Sequence, residues 1–328
     1  MKILILNYSE VEHLLPVREC IPVMSDALVS LARAEVFQPL RMVVRPPDAI
    51  GAMGLMPSHR AGGQPAYGVK IVCIFPENPK MGLDAHQGSV MLLSGETGEL
   101  LALMNASAIT AIRTAAVSAV ATQVLARADA SQLAIIGSGV QARTHIEAMA
   151  CVRQIARASV ASRSFENAVR FAEEMRPRYG FPIEPVETAE QAVTGADIVV
   201  LATTANEPVV KREWIAQGAH INAVGSSIPT AREMDSALMK ASSLFVDRRE
   251  STINEAGDYL LALGEGAIGP DHIRAEIGEV LLNQKPGRGS ADEITLFKSL
   301  GLAVEDLASA EYLYRKAKEM QAGEWIEY

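Results

Sequence analysis

Three cations stand where the sequence is otherwise apolar: Arg41 in QPLRMVV, Lys70 in YGVKIV and Arg113 in ITAIRTAAVSAVAT. Burying a guanidinium or an ammonium is costly unless an anion pairs with it, so each position calls for a counter-ion. A substrate carboxylate is one such anion; a structural salt bridge for Arg41 and an exposed strand position for Lys70 are the plainer readings. Arginine offers a planar fork that grips a carboxylate bidentately, whereas lysine is a compact ammonium whose pKa falls on burial, which suits it to giving up a proton. The chemistry to expect from such a set is proton transfer on a small bound carboxylic acid, with Arg41, Lys70 and Arg113 as catalytic candidates: the arginines to pair with the carboxylate and Lys70 to donate the proton.

A second set lies in LAIIGSGVQARTHIEAM, residues 133–149. Leu133 to Ile136 reads as a buried strand, Gly137-Ser138-Gly139 as a turn, and Val140 to Ala150 as a helix, which is the context a dinucleotide fingerprint requires. Gly137 permits the tight turn, Gly139 lets backbone approach a pyrophosphate, and Ala142 stands where a third small residue lets helix and strand pack closely. Gly137, Ser138, Gly139, Val140 and Gln141 are therefore cofactor-binding candidates, the alternative being a merely structural strand-turn-helix. At the end of the next strand, in ASVASRSFENA, no acid is available to accept the ribose hydroxyls. Ser162, Arg163 and Ser164 occupy that corner, which favours NADP(H) over NAD(H) while leaving NAD(H) possible.

The elements that must position these residues fall into two kinds. Up to about Ala115 the chain shows short apolar runs of period two, broken by Pro, Gly and Asn, with a hairpin turn at SGETGE (94–99) and a helix near Leu14 to Arg33 after Pro16. An Ala-rich helix over about 109–126 leads on. Strands expected at 132–137, 157–162, 197–202, 219–225 and 243–247, mostly separated by helices or loops, have the form of a parallel, doubly wound sheet. FKSLGLAVEDLASAEYLYRKAKEM then reads as a loop and an amphipathic helix that returns to the first region.

Composition narrows the class of function. The 328 residues carry 30 Lys and Arg against 39 Asp and Glu, a net charge of −9 with no basic run, so a nucleic-acid partner is not expected. Asn105 and Arg113 interrupt the most apolar stretch, and the first dozen residues already include acids, so neither a membrane span nor a secretory signal is expected. Cys20, Cys73 and Cys151 read as reduced core residues of a cytoplasmic protein. The six histidines show no ligand spacing, and no metal is expected.

Together QPLRMVV, GLMP (54–57), YGVKIV, AHQG (85–88), ITAIRTAAVSAVAT, GSGVQA, GAHINAVGS (218–226) and FKSLGLAVED (297–306) resemble the ornithine cyclodeaminase and mu-crystallin family. The resemblance implies a Rossmann domain (118–296) inserted in a β-rich α+β domain (1–117 with 297–328) that binds substrate and forms a homodimer. It implies that Arg41 and Lys70 face a small α-amino or α-imino acid, with Arg113 beside them near the cofactor. It further implies that His86 lies near the nicotinamide end, that Ser299 belongs to the loop closing over it, and that Thr204, Val224 and Ser226 line the nicotinamide half.

One departure directs the choice of reaction. Cyclodeaminases of that family carry an acid just after the NAVG strand, where this chain has Ser226 and Ser227, and a serine is no carboxylate base at neutral pH. The expected activity is hydride delivery from NAD(P)H to a small 2-imino carboxylate, cyclic or acyclic, giving an amino acid. His59 and Arg60, on an expected glycine-rich loop, are candidates to hold a second carboxylate, as in iminosuccinate. The alternatives are a cyclodeaminase that recruits Glu77, Asp84 or Asp235, and a non-catalytic binding protein with NADPH as a structural ligand.

Overall fold

The computed structural model describes residues 2–62 and 64–328. The chain divides into two compact units, Met1–Arg113 with Gly301–Tyr328, and Thr114–Leu300. It opens with β1 (Lys2–Leu6), α1 (Tyr8–Leu14), α2 (Val17–Ala32), β2 (Val36–Phe37) and β3 (Met42–Val44). β4 (Ala52–Arg60), β5 (Ala66–Ile74), β6 (His86–Ser94) and β7 (Leu100–Asn105) follow, and α3 (Ala106–Leu125) carries the chain across the boundary. The second unit runs β8 (Gln132–Ile136), α4 (Val140–Val152), β9 (Arg157–Ala161), α5 (Phe165–Met175), β10 (Ile183–Pro185), α6 (Ala189–Val193), β11 (Ile198–Leu201) and β12 (His220–Ala223). It continues through α7 (Ser236–Ala241), β13 (Ser243–Val246), α8 (Arg249–Glu255), α9 (Gly257–Gly264), β14 (Ile273–Glu276), α10 (Ile277–Leu281) and β15 (Thr295–Lys298). α11 (Ala303–Met320) and β16 (Glu324–Glu327) complete the first unit.

In the first unit one sheet runs β16-β1-β7-β6-β5-β4-β2, with β3 also paired to β4. It is antiparallel except for β1 beside β7. The helix expected after Pro16 is α2, with Pro16 as its N-cap, and a further helix, α1, precedes it, capped by Asn7 in a capping box with Glu10. Along β5, Ala66, Gly68, Lys70 and Val72 alternate onto the buried face, and α11 packs against β4, β5 and β6 on it. Gly68 permits that approach, since a Cβ there would stand 2.9 Å from Leu307. A lysine thus occupies a core position of a half-buried strand.

In the second unit every strand pair is parallel, in the order β10-β9-β8-β11-β12-β15-β13-β14. The order turns back on itself at β8 and β11, the crevice at which doubly wound sheets bind ligands. β15 belongs to this sheet, between β12 and β13, although its residues after 296 had been expected in the first domain. Sequence patterning also missed β10 and β14, which are short. α3 is long and apolar enough to cross a membrane by length and composition, but it is apolar all round because it is mostly buried in the protein. Cys20 is buried and Cys73 and Cys151 are partly so, as their apolar surroundings predict.

Candidate active site

The first unit gathers its cations on two consecutive acids that sequence reasoning passed over. Lys70 Nζ lies 2.8 Å from Asp306 Oδ2, and both side chains are almost fully buried. Arg113 pairs through Nη1 with Glu305 Oε2 at 2.7 Å and through Nε with Asp306 Oδ1 at 3.2 Å. Glu305 and Asp306 stand in the first turn of α11, where the helix dipole favours carboxylates. Gly301 is required for this arrangement: its φ is +78°, and a Cβ would fall 2.4 Å from the Arg113 guanidinium. The anion that neutralises Arg113 is therefore supplied by the chain itself, not left for a substrate. Arg41 precedes β3 instead of lying in a strand, is half-buried, and donates from Nη2 to Gly301 O at 3.1 Å.

Lys70 and Arg113 thus meet two carboxylates, Glu305 and Asp306, and Arg41 reaches the Gly301 carbonyl just before them in the chain. Burial pulls the Lys70 pKa down to about 8; Asp306 opposes that fall and Arg113 adds to it. The ammonium also reaches Thr110 Oγ1 at 3.5 Å. His86, first in β6, keeps much of its side chain in solvent, yet enough protein surrounds the ring to lower its pKa, aided by the Lys70 charge and opposed by Asp84. A half-buried guanidinium beside a buried ammonium whose pKa is drawn down to about 8 can bind a carboxylate and exchange a proton with another group of the same ligand.

In the second unit the glycine turn follows β8. Gly137 has φ +116°, and a Cβ there would meet Ala202 O at 2.3 Å, whereas a Cβ on Gly139 meets nothing within 4 Å. Gly139 caps α4 without a side-chain hydrogen bond, so the first amides of that helix keep open space before them, and Ala142 is fully buried against the sheet. This suits a pyrophosphate. Val140 is half-exposed, Gln141 carries the carbonyl that His145 Nδ1 contacts at 2.7 Å, and Ser138 shares a 2.8 Å hydroxyl hydrogen bond with Ser162. Arg163 is exposed and Ser164 caps α5. Thr204 is exposed past β11 and Val224 half-buried past β12. Ser299 follows β15 fully buried, its hydroxyl without a hydrogen-bond partner among the described residues. An open cradle and an unpartnered buried hydroxyl in the same unit fit a dinucleotide.

Several expectations are corrected. His59 and Arg60 lie on β4, not on a loop; His59 packs on Tyr67, and Arg60 is held by Glu311 at 2.7 Å. Arg60 lines an open groove of about 740 Å³ with Glu311 and Tyr314, and none of Arg41, Lys70 or Arg113 lines it, so the second-carboxylate role loses its geometry. The Ser226 hydroxyl donates to Ala231 O and folds its own loop. Of the acids considered for a cyclodeaminase, Asp235 caps α7 and Glu77 pairs with exposed Lys80, while Asp84 is exposed. Among the described residues no group of three or more His, Cys, Asp or Glu side chains could hold a metal.

Lone cations in apolar runs carried the signal for Lys70 and Arg113. The signal for their partners was the pair Glu305-Asp306 inside AVEDLASA, an acidic step in a stretch that is buried throughout.

A parallel sheet with an open glycine turn, and a separate unit with buried paired charges, define a dinucleotide-binding α/β class of protein. The chain matches the ornithine cyclodeaminase/mu-crystallin family over residues 1–321, and it belongs to that family. It is 39% identical over 326 residues to a Delta(1)-pyrroline-2-carboxylate reductase of Bacillus cereus, covering 99% of this chain and 100% of the relative. It is likewise 39% identical over 313 residues to the ketimine reductase mu-crystallin of Mus musculus, covering 94% and 96%. Its fold superposes, with a TM-score of 0.95 and 43% identity over 98% of this chain and 99% of the other, on Thermococcus litoralis Delta(1)-pyrroline-2-carboxylate reductase in complex with NADH and L-proline.

Proposed function

We propose that this protein is an NAD(P)H-dependent imine reductase that converts a small cyclic 2-imino carboxylate, of which Delta(1)-pyrroline-2-carboxylate is the type, into the cyclic amino acid. The observation that carries this reading is the buried Lys70–Asp306 pair, with Arg113 held on the same carboxylate. Arg41 binds the carboxylate; Arg113 holds Asp306 in place; Lys70 gives its proton to the imine nitrogen. A bound nicotinamide supplies the hydride to the imine carbon, so that the C=N bond becomes CH–NH and the cofactor leaves oxidised. The amine of Lys70 regains a proton from solvent, with Asp306 stabilising the ammonium. The second unit holds the dinucleotide through the amides at Gly139 to Gln141 and through Ser138, and Thr204, Val224 and Ser299 serve the nicotinamide half.

The finer reading of the cofactor is a preference for NADP(H). Arg163 is exposed, has no carboxylate partner among the described residues, and is flanked by Ser162 and Ser164, which suits a 2′-phosphate. The protein works as a homodimer: Phe37, Met42, Val43 and Val44 present an apolar face on strands β2 and β3, which a second copy covers.

The test follows the absorbance of NADPH and of NADH with Delta(1)-pyrroline-2-carboxylate, its six-membered homologue, and pyruvate or oxaloacetate with ammonia. Turnover of the cyclic imines with proline or its homologue as product is expected. Turnover of oxaloacetate with ammonia alone would replace the cyclic substrate by an acyclic one, and ammonia released from ornithine without imine reduction would replace the reaction. Arg163→Ala is expected to weaken NADPH binding about tenfold or more while leaving NADH unchanged.

A further inference from the structure

Glu233, between β12 and α7, has a fully buried carboxylate that no helix or strand requires. Its Oε1 accepts the Thr203 amide at 2.7 Å, and its Oε2 accepts those of Gly225 at 2.7 Å and Ser226 at 3.3 Å. Thr203 lies two residues past β11, and Gly225 and Ser226 are the second and third past β12. One carboxylate therefore fixes the turns leaving two neighbouring parallel strands. The first of those turns also backs onto the glycine turn through Ala202.

The clamp is itself anchored. The Glu233 amide donates to Asp258 Oδ1 at 2.8 Å, and Asp258 Oδ2 pairs with Lys298 Nζ at 2.9 Å, both side chains having no exposure. Lys298 ends β15, which neighbours β12. A buried chain of charge-assisted bonds thus ties together the carboxyl ends of three adjacent strands. Gly225 leaves the space it needs, since a Cβ there would stand 2.4 Å from Glu233 Oε1. Core packing alone is met as well by apolar side chains, so three inward-turned amides on one carboxylate point to a demand on the turns themselves.

We propose that Glu233 is a positioning residue for the nicotinamide half of the cofactor: by holding the Thr203 and Gly225 turns it shapes the ledge on which that half rests. The inference stands on the reading that this unit binds a nicotinamide dinucleotide. The glycine turn at Gly137 to Gly139 serves the pyrophosphate, so the two halves of the ligand can be tested apart.

Calorimetry on the full chain would compare NADPH, NADH and ADP-ribose, which lacks the nicotinamide ring, in the parent protein, Glu233→Gln and Asp235→Ala. The amide of Glu233→Gln must turn a donor toward one of the turns, so dinucleotide affinity is expected to fall about tenfold or more while ADP-ribose binding changes less than about twofold. Asp235→Ala, which uncaps α7, is expected to lower the melting temperature and leave the ratio of the two affinities unchanged. Equal losses for both ligands, or no loss, would overturn the proposal. Should Glu233→Gln fail to fold, Glu233→Asp, whose shorter reach surrenders one turn, gives the same ratio; failure of both to fold would make Glu233 a folding residue and overturn it too. Absence of binding by the parent protein to every one of these ligands would instead bring down the cofactor reading on which the proposal stands.

Discussion

Replacing Lys70 with Met removes the proton donor proposed above and leaves Asp306 its bond from Arg113. The turnover number for imine reduction is expected to fall about 10²- to 10⁴-fold with cofactor affinity unchanged, as steady-state kinetics and calorimetry would read. The direction of the pH dependence follows from the same residue. If Lys70 is the donor as proposed, reduction needs its ammonium, so with a pKa of about 8 the kcat/KM for the imine is expected to fall as pH rises through that value, while oxidation of the amino acid, which needs the free amine, is expected to rise. Rate profiles in both directions that keep this shape in Lys70→Met would assign the titration elsewhere. Gly301→Ala forces a side chain into a left-handed conformation against the Arg113 guanidinium, and about 1–2 kcal/mol or more of stability should be lost in denaturant melts. Lys70, Arg41 and Arg113 were visible in the sequence because each breaks an apolar run. Glu305, Asp306 and Glu233 were not, because acids in a helix or a loop are ordinarily solvated and nothing local says that these face inward.

At the level of the element, the strand-turn-helix at β8 and α4 separates two glycines with different duties. Gly137→Ala puts a Cβ against the Ala202 carbonyl at a φ that only glycine adopts readily, and a lower melting temperature is the expected outcome. Gly139→Val meets open space, so its melting temperature should match the parent, yet dinucleotide affinity should drop about tenfold or more if the pyrophosphate approaches there as proposed. Equal thermal effects of the two substitutions would contradict this division. Strands β8, β9, β11, β12 and β13 were legible from their buried apolar runs. β15 escaped because its four residues, TLFK, follow a polar stretch in sequence order but enter the sheet between β12 and β13 by a non-sequential insertion. His59 and Arg60 were misplaced for a related reason, since Gly and Pro on either side suggested a loop where β4 simply ends.

For the whole molecule, the exposed apolar face of β2 and β3 gives the prediction with the widest reach. Val43→Asp places a charge in that face; if the proposed homodimer forms there, the variant is expected to sediment as a monomer with its melting temperature lowered and the parent as a dimer. An unchanged sedimentation coefficient would move the interface elsewhere. The sequence by itself determined the class of fold, the glycine turn with its flanking elements, the cations that need partners, and the absence of an acid after the NAVG strand, because each is written in composition, period or local spacing. Only the tertiary structure decided which anions those cations meet, that Arg60 belongs to a groove apart from Lys70, and that one buried carboxylate ties two strand ends. Those facts join residues as far apart as Lys70 and Asp306. Whether a charge is buried and which partner repays its lost hydration depend on how distant segments pack, and no local pattern encodes that.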